Sequence, residues 1–81
     1  MKLRYNRIAT KAFAVAPVNV QKAFLKQAGF LAENLRHPSL RAKKYSESEG
    51  VWQARVNQDW RFYFVVEDDA YVILDIIPHP K

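Results

Sequence analysis

The sequence predicts an α+β domain in which one or two N-terminal helices pack on one face of a small antiparallel sheet of about four strands. Two patterns in the 81 residues indicate this fold. Apolar and polar residues alternate from Val51 to Val66, as in a β-hairpin, whereas apolar residues recur every three or four positions from Val18 to about Arg36, as in an amphipathic helix. Because a helix on a sheet buries both apolar faces, residues 1–81 are expected to form one domain in the order β-α-(α)-β-β-β.

The first elements are a short strand and a short helix. The stretch from Leu3 to Ile8 predicts the strand. The segment from Ala9 to Val15 is either a short helix, which Thr10 would cap, or an irregular connector, because a proline disfavours helical geometry at the residue before it. Pro17 suits the first turn of a helix, so the next helix is expected to begin there.

The main helix is expected from Val18 to about Arg36. Its apolar stripe consists of Val20, Phe24, Ala28, Leu31 and Leu35, broadened by Ala23, Gln27 and Phe30. Gly29 lies inside the pattern and costs about 1 kcal/mol relative to alanine, so we expect close packing against the sheet at this position. The charged residues of the helix are interpreted as a solvated outer face: Lys22, Lys26 and Glu33.

The second half of the chain predicts three strands in a meander. Pro38 ends the helix, residues 40–45 form a short extended segment and residues 46–50 a polar loop. The hairpin strands meet at residues 57–59, and a last strand runs from Ala70 to Ile77. The large apolar side chains of the hairpin are expected to face the helix: Trp52, Ala54, Val56, Trp60, Phe62, Phe64 and Val66. Trp52 and Trp60 are therefore interpreted as core residues rather than as stacking platforms for bases.

The opposite face of the hairpin presents two arginines. Successive side chains of a strand point to alternate sides, so Arg55 and Arg61 emerge together. The same alternation predicts apolar and acidic neighbours on this face: Tyr63, Val65, Tyr71, Ile73, Asp75 and Ile77. A patch that mixes apolar and charged side chains indicates a surface for a partner.

Composition and charge narrow the classes of function. A net charge of +5 and a pI near 9.8 indicate an acidic partner, either nucleic acid or an acidic peptide. Ten of the 13 basic residues lie between Met1 and Lys44, together with one acid, so the positive field belongs to the first half. The sequence contains no cysteine, which excludes a thiol nucleophile and cysteine-ligated metals. No apolar run could span a bilayer or serve as a secretory core, so we expect a cytoplasmic protein with no membrane partner.

Several motifs, in this order, resemble the RelE/ParE toxin superfamily of bacterial toxin-antitoxin pairs. They are the run from His37 to Lys44, an acidic loop ending in Gly50, the two hairpin strands, and a terminal apolar strand leading to Ile77-Pro78-His79. The resemblance implies a basic toxin that is neutralised by a cognate antitoxin, whose C-terminal segment wraps the sheet and the helix. It also implies two possible targets, because RelE-like members cut messenger RNA in the ribosomal A site and ParE-like members poison DNA gyrase.

The resemblance also suggests residues for RNA cleavage. In the nuclease branch an arginine matching Arg61 lies at the scissile phosphate, and a basic residue matching Arg55 lies near it. Cleavage by a neighbouring 2′-hydroxyl needs a proton acceptor, a proton donor and cations, and needs neither metal nor cofactor. The planar guanidinium of Arg61 can bind two phosphate oxygens, and His79 is the candidate acid or base. Candidate RNA-binding residues are Arg41, Lys43, Lys44 and Lys81.

Each of these residues also has a structural interpretation. Arg61 would be neutralised by Asp75, and Arg55 would belong to a structural ion pair. His79 lies near the end of the chain, where mobility is common. Lysines on an edge strand protect against aggregation, and His37 is interpreted as capping the helix end rather than as catalytic.

The sequence leads to two main hypotheses. The first is a ribosome-associated mRNA endonuclease with Arg61, Arg55 and His79 as catalytic residues and the ribosome, messenger RNA and an antitoxin as partners. The second is a ParE-like gyrase inhibitor or an inactive toxin that only binds its antitoxin. It is motivated by the end of the chain at Lys81, where active relatives place a final basic residue and a tyrosine. A plain RNA-binding module is a third and weaker hypothesis.

Overall fold

The computed structural model describes residues 1–80 and contains two α-helices, a short 3-10 helix and a five-stranded sheet. The elements are β1 (Lys2–Tyr5), α1 (Arg7–Val15), α2 (Val18–Glu33), the 3-10 helix (Pro38–Leu40), β2 (Lys43–Ser46), β3 (Val51–Arg55), β4 (Trp60–Glu67) and β5 (Ala70–Pro78). The strand order is β1-β5-β4-β3-β2. This architecture confirms the predicted α+β class with N-terminal helices packed on a sheet.

The sheet differs from the expected one at both edges. The extended segment after the helix pairs with β3 and becomes the edge strand β2, which raises the number of strands to five. At the other edge β1 runs parallel to β5, with Leu3 opposite Tyr71, so the sheet is mixed rather than wholly antiparallel. In the sequence, the two helices come between β1 and the other strands. Such a helical crossover allows β1 to pair in parallel with β5.

Helix α1 begins at Asn6 rather than at the predicted Thr10 cap. The Oδ1 atom of Asn6 accepts a hydrogen bond from the backbone N–H of Ala9 at 2.8 Å. Thr10 lies inside the first turn, and its hydroxyl donates to the carbonyl of Asn6 at 3.0 Å. The helix ends at Val15, because Ala16 has an extended backbone before Pro17.

Helix α2 follows the predicted stripe but is about three residues shorter than expected. Its buried residues are Val20, Phe24, Gln27, Ala28 and Leu31. The helix stops at Glu33 because Asn34 turns extended and its side-chain oxygen accepts from the N–H of Arg36 at 2.9 Å. The expectation of close packing at Gly29 was wrong: the residue is exposed, and no atom lies within 4 Å of the place where a Cβ would be.

Three phenylalanines bind α2 to the sheet. Phe24 of α2 meets Phe62 of β4 edge to face at 5.2 Å between ring centroids, and Phe62 lies 5.8 Å from Phe64. All three are at most 1% exposed, and each buried aromatic ring contributes on the order of 2–3 kcal/mol of hydrophobic free energy. Trp52 and Trp60 pack against this core, as predicted, whereas Val66 is 46% exposed near the end of β4.

A bulge in β5 changes which of its side chains face the helices. Tyr63 pairs with Asp75, but the next residue, Phe64, pairs with Ile73, so Leu74 has no partner on β4. The extra residue reverses the alternation on the N-terminal side of the bulge. Tyr71 and Ile73 are consequently buried in the core, and the prediction that they lie beside the arginines was wrong.

Within residues 1–80 no helix is both long and apolar enough to cross a membrane.

Candidate phosphate-binding site

A cleft of about 320 Å³ lies on the face of the sheet opposite the helices. Its lining residues are Arg41, Lys43, Gln53, Arg55, Arg61 and His79, and we call it the basic cleft. Three strands, the segment before β2 and the segment after β5 contribute to it, and none of the lining residues is acidic. The basic cleft contains all three residues predicted to be catalytic and two of the four predicted to bind RNA.

Arg55 and Arg61 lie directly opposite each other on neighbouring strands. The β3–β4 register pairs Arg55 with Arg61 and Gln53 with Tyr63. This pairing confirms the predicted strand phase, in which both arginines leave the sheet on the side away from the buried aromatic residues. Two like charges on opposed residues destabilise the folded state.

The guanidinium of Arg55 is not neutralised by a protein group within residues 1–80. Its Nε atom is buried and has no hydrogen-bond partner, and neither of the ion pairs in this part of the chain includes it. Loss of solvation lowers the pKa of Arg55, and the neighbouring charges of Arg41 and Arg61 lower it further. The expected structural ion pair of Arg55 is therefore not seen, and the site favours an anion from outside.

Arg61 is held by the turn between the two strands. Its Nη1 atom donates to the carbonyl oxygens of Asn57 at 2.8 Å, Trp60 at 2.9 Å and Gln58 at 3.3 Å. No ion pair joins it to Asp75 in the described chain, and Asp75 instead accepts a hydrogen bond from the backbone N–H of Ile76 at 2.8 Å. The backbone thus fixes one end of the guanidinium and leaves Nη2 and Nε for a ligand.

His79 is tied to the same turn, although it lies beyond the end of β5. Its backbone N–H donates to the carbonyl of Asp59 at 2.7 Å. This bond holds the segment after Pro78 beside the hairpin and brings the imidazole to the wall of the basic cleft. Position near the chain end therefore does not separate His79 from the arginines.

The remaining predicted residues divide between the two faces of the sheet. Arg41 and Lys43 line the basic cleft, whereas Lys44, the next residue on β2, packs its ammonium 5.2 Å from the Trp52 ring and 4.0 Å from Glu47. Lys81 lies outside the described residues. His37 is structural, as interpreted from the sequence, but it caps the 3-10 helix: its Nδ1 accepts from the N–H of Ser39 at 3.2 Å.

Two buried glutamines support the site and were not predicted to do so. Gln27 of α2 donates to the carbonyls of Ser39 and Arg55 at 3.0 and 2.8 Å and accepts from the Ser39 hydroxyl at 2.9 Å. Gln53, on the floor of the basic cleft, donates to the Tyr63 hydroxyl at 2.8 Å. A glutamine within an apolar helical stripe was the available signal for Gln27, since a buried amide needs partners.

Arg41 has an unusual backbone conformation for a residue that is not glycine. It follows the 3-10 helix with φ 47° and ψ 43°, the left-handed region, in which a side chain costs on the order of 1 kcal/mol. Its side chain lines the basic cleft and two neighbouring clefts. A strained residue at the junction of three clefts is typical of a binding site.

Solved structures similar to this one include a bacterial YoeB/ParE toxin, a bacterial YoeB-YefM complex and an archaeal RelE-RelB complex. A YoeB/ParE toxin from Agrobacterium tumefaciens superposes with a TM-score of 0.83 at 12% identity, covering 99% of this chain and 100% of its own. The YoeB-YefM complex from Staphylococcus aureus gives 0.80 at 14% identity, covering 99% and 98%. The archaeal RelE-RelB complex from Pyrococcus horikoshii gives 0.77 at 20% identity, covering 95% and 92%.

No protein-family model matches the sequence, and no curated protein matches it significantly. The similarity is therefore one of structure, and it extends over almost the whole of each chain. The order of helices and strands predicted from the motifs agrees with it. This protein has the fold of the RelE/ParE toxins.

Proposed function

We propose that this protein is the toxin of a type II toxin-antitoxin pair and that it cuts messenger RNA on the ribosome. The basic cleft is the observation that carries the proposal. Four cationic side chains and one imidazole converge there, with no carboxylate among the lining residues. An unneutralised cluster of this kind suits a phosphodiester, whose charge increases in the transition state.

The proposed reaction is attack of the 2′-hydroxyl on the adjacent phosphate. The 2′-oxygen forms a bond to phosphorus and loses its proton, while the bond to the departing 5′-oxygen breaks and that oxygen gains a proton. Arg55 and Arg61, opposed across the ladder, bind the phosphate oxygens. His79 contributes the one imidazole among the lining residues, a group that can accept or donate a proton, so we assign it one of the two proton transfers.

The proposed protein partner is an antitoxin with an acidic, partly apolar segment. Three of the similar structures are described as toxin-antitoxin complexes, one from Mycobacterium tuberculosis and two from Escherichia coli. In this chain an apolar groove of about 290 Å³ between the two α-helices is lined by Tyr5, Phe13, Phe24 and Leu25. Ten basic residues in the first 44 would attract acidic side chains to its rim.

Induced expression in a bacterial host tests this proposal. Wild-type protein should stop growth and produce new messenger RNA ends within translated codons, as mapped by primer extension. Arg55→Ala and His79→Ala should lose the cuts, whereas Lys11→Ala, which removes an exposed charge on α1, should cut like wild type. Growth arrest with intact messenger RNA, or full cutting by Arg55→Ala, would contradict the assignment.

A toxin that binds without cutting is the second candidate, and the composition of the cleft favours it. No tyrosine or carboxylate lines the basic cleft within residues 1–80, so the lining offers no second acid or base beside His79 for the other proton transfer. A gyrase inhibitor would cause supercoiling defects in arrested cells with intact messenger RNA. An inactive partner would leave growth unchanged and still bind an acidic antitoxin peptide tightly.

A further inference from the structure

A second cleft adjoins the basic cleft on the side of helix α2. Its volume is about 530 Å³, and its lining includes Lys26, Ser39, Asn57 and Gln58. We call it the helix-side cleft. Arg41 and Arg55 line both clefts, so the two spaces meet at these side chains.

The helix-side cleft has the composition of a binding surface for a polar chain. Gln58 and Asn57 belong to the hairpin turn, which also holds Arg61, so the two clefts share this support. Lys26 supplies a cation on the opposite wall, with its ammonium 6.0 Å from the Phe30 ring and in no ion pair within the described chain. Arg55, whose buried Nε atom has no hydrogen-bond partner in the described chain, lines both clefts.

We propose that the two clefts form one groove that binds a single strand of RNA across at least two consecutive phosphates. One phosphate lies between Arg55 and Arg61, and the next lies in the helix-side cleft against Lys26, with Arg41 between them. Lys26 is then a positioning residue rather than part of a solvated outer face. The proposal rests on the proposed RNA-cleaving function in naming RNA as the strand.

The left-handed backbone of Arg41 positions its side chain for a groove of this kind. The 3-10 helix ends at Leu40, which is fully buried, so the chain must turn sharply to reach β2. The turn places the Arg41 side chain at the boundary of the two clefts. A cation at this boundary can contact both phosphates of a bound strand, which a cation at either end cannot do.

The test measures binding separately from cleavage. The probes are fluorescent 2′-O-methyl oligonucleotides with one internal phosphate or with five, which lack the attacking hydroxyl and so remain intact. Anisotropy titrations at several salt concentrations compare wild type, Lys26→Gln and Lys22→Gln. Lys22 is the matched control, because it lies one turn earlier on α2, is exposed, and lines none of the three clefts.

Lys26→Gln is expected to weaken binding of the longer probe about fivefold at 100 mM salt and to reduce the slope of log K against log salt by about 0.7. It should leave the one-phosphate probe unaffected, and Lys22→Gln should leave both unaffected. Equal effects of the two substitutions, equal loss for both probes, or no binding of either probe would overturn the groove. If messenger RNA is cut but Lys26→Gln does not weaken binding, the groove is refuted and the proposed function stands. If Lys26→Gln weakens binding but messenger RNA is not cut, the groove stands and the proposed function is refuted.

Discussion

Arg55 and Arg61 occupy opposed positions on one ladder, but replacing each with methionine is expected to change stability in opposite directions. The buried Nε of Arg55 lacks a hydrogen-bond partner within residues 1–80, and an unsatisfied buried donor costs about 1–3 kcal/mol. Methionine keeps an unbranched apolar stem and removes this donor and the charge. The rest of the Arg55 side chain is partly solvated, so the lower end of the range for an unsatisfied donor applies. We therefore expect Arg55→Met to raise the free energy of unfolding by about 1 kcal/mol.

Arg61→Met should lower stability instead. The substitution removes the Nη1 group that donates to two carbonyls of the turn and to that of Trp60 at the start of β4, two of the three within 2.9 Å. Hydrogen bonds from a charged donor contribute about 1.5–3 kcal/mol, but water can reach this turn and recover part of that. The expected net decrease in the free energy of unfolding is about 1–2 kcal/mol. The hairpin should also close more slowly.

Urea denaturation of the two variants and wild type checks this contrast. With unchanged m-values, the midpoint should rise for Arg55→Met and fall for Arg61→Met, and a change of 1 kcal/mol corresponds to about 4–8 °C in melting temperature for a domain of this size. The gain from Arg55→Met should be larger at low salt, since part of it is relief of repulsion from Arg41 and Arg61. A lower midpoint for Arg55→Met would refute the reasoning, because Arg55 would then have a stabilising partner in the free protein.

Three further predictions concern the helices and the first strand. In thermal melting, Gly29→Ala should raise the free energy of unfolding by about 1 kcal/mol, because Gly29 is exposed within a helix. Gly50→Ala should lower it, because Gly50 has φ 67°. Equal effects of the two substitutions would contradict the exposed helical setting of Gly29. Asn6→Ala should cost about 1 kcal/mol of stability in urea through loss of the α1 cap, and wild-type stability would show that the cap is dispensable. Burial raises the pKa of Tyr5 above 10.0, so this tyrosine ionises first in the unfolded chain and the stability of the fold falls as pH rises through 10. In melting temperatures measured over a pH series, Tyr5→Phe should reduce this loss of stability at alkaline pH. An unchanged pH profile would exclude Tyr5 as the source of the loss.

The hairpin could be predicted from the sequence because one face carries nearly all of its large apolar residues. A shift of one residue would expose Phe62 and Phe64, so burial fixes the register and with it the side from which Arg55 and Arg61 leave the sheet. In β5 every residue from Tyr71 to Leu74 is apolar or aromatic, so both alternating sets look alike and the pattern gives no signal for the bulge at Leu74.

Other parts of the site depend on contacts that no local pattern records. The position of His79 follows from its backbone bond to Asp59 in the turn, twenty residues earlier in the chain. The junction of the clefts at Arg41 follows from burial of Leu40 and the left-handed turn after it. The prediction for Gly29 was wrong because a glycine that allows close packing and one that faces solvent cannot be told apart from the sequence.

Because the buried Nε donor of Arg55 has no partner within residues 1–80, anion binding at the basic cleft is expected to affect how long the protein survives proteolysis. An anion that binds between the opposed guanidiniums of the folded chain shifts the equilibrium away from the unfolded chain by RT ln(1 + [L]/Kd), about 2.7 kcal/mol at a hundredfold excess over Kd. Protease resistance should therefore rise when this site is filled and be lowest when it is vacant.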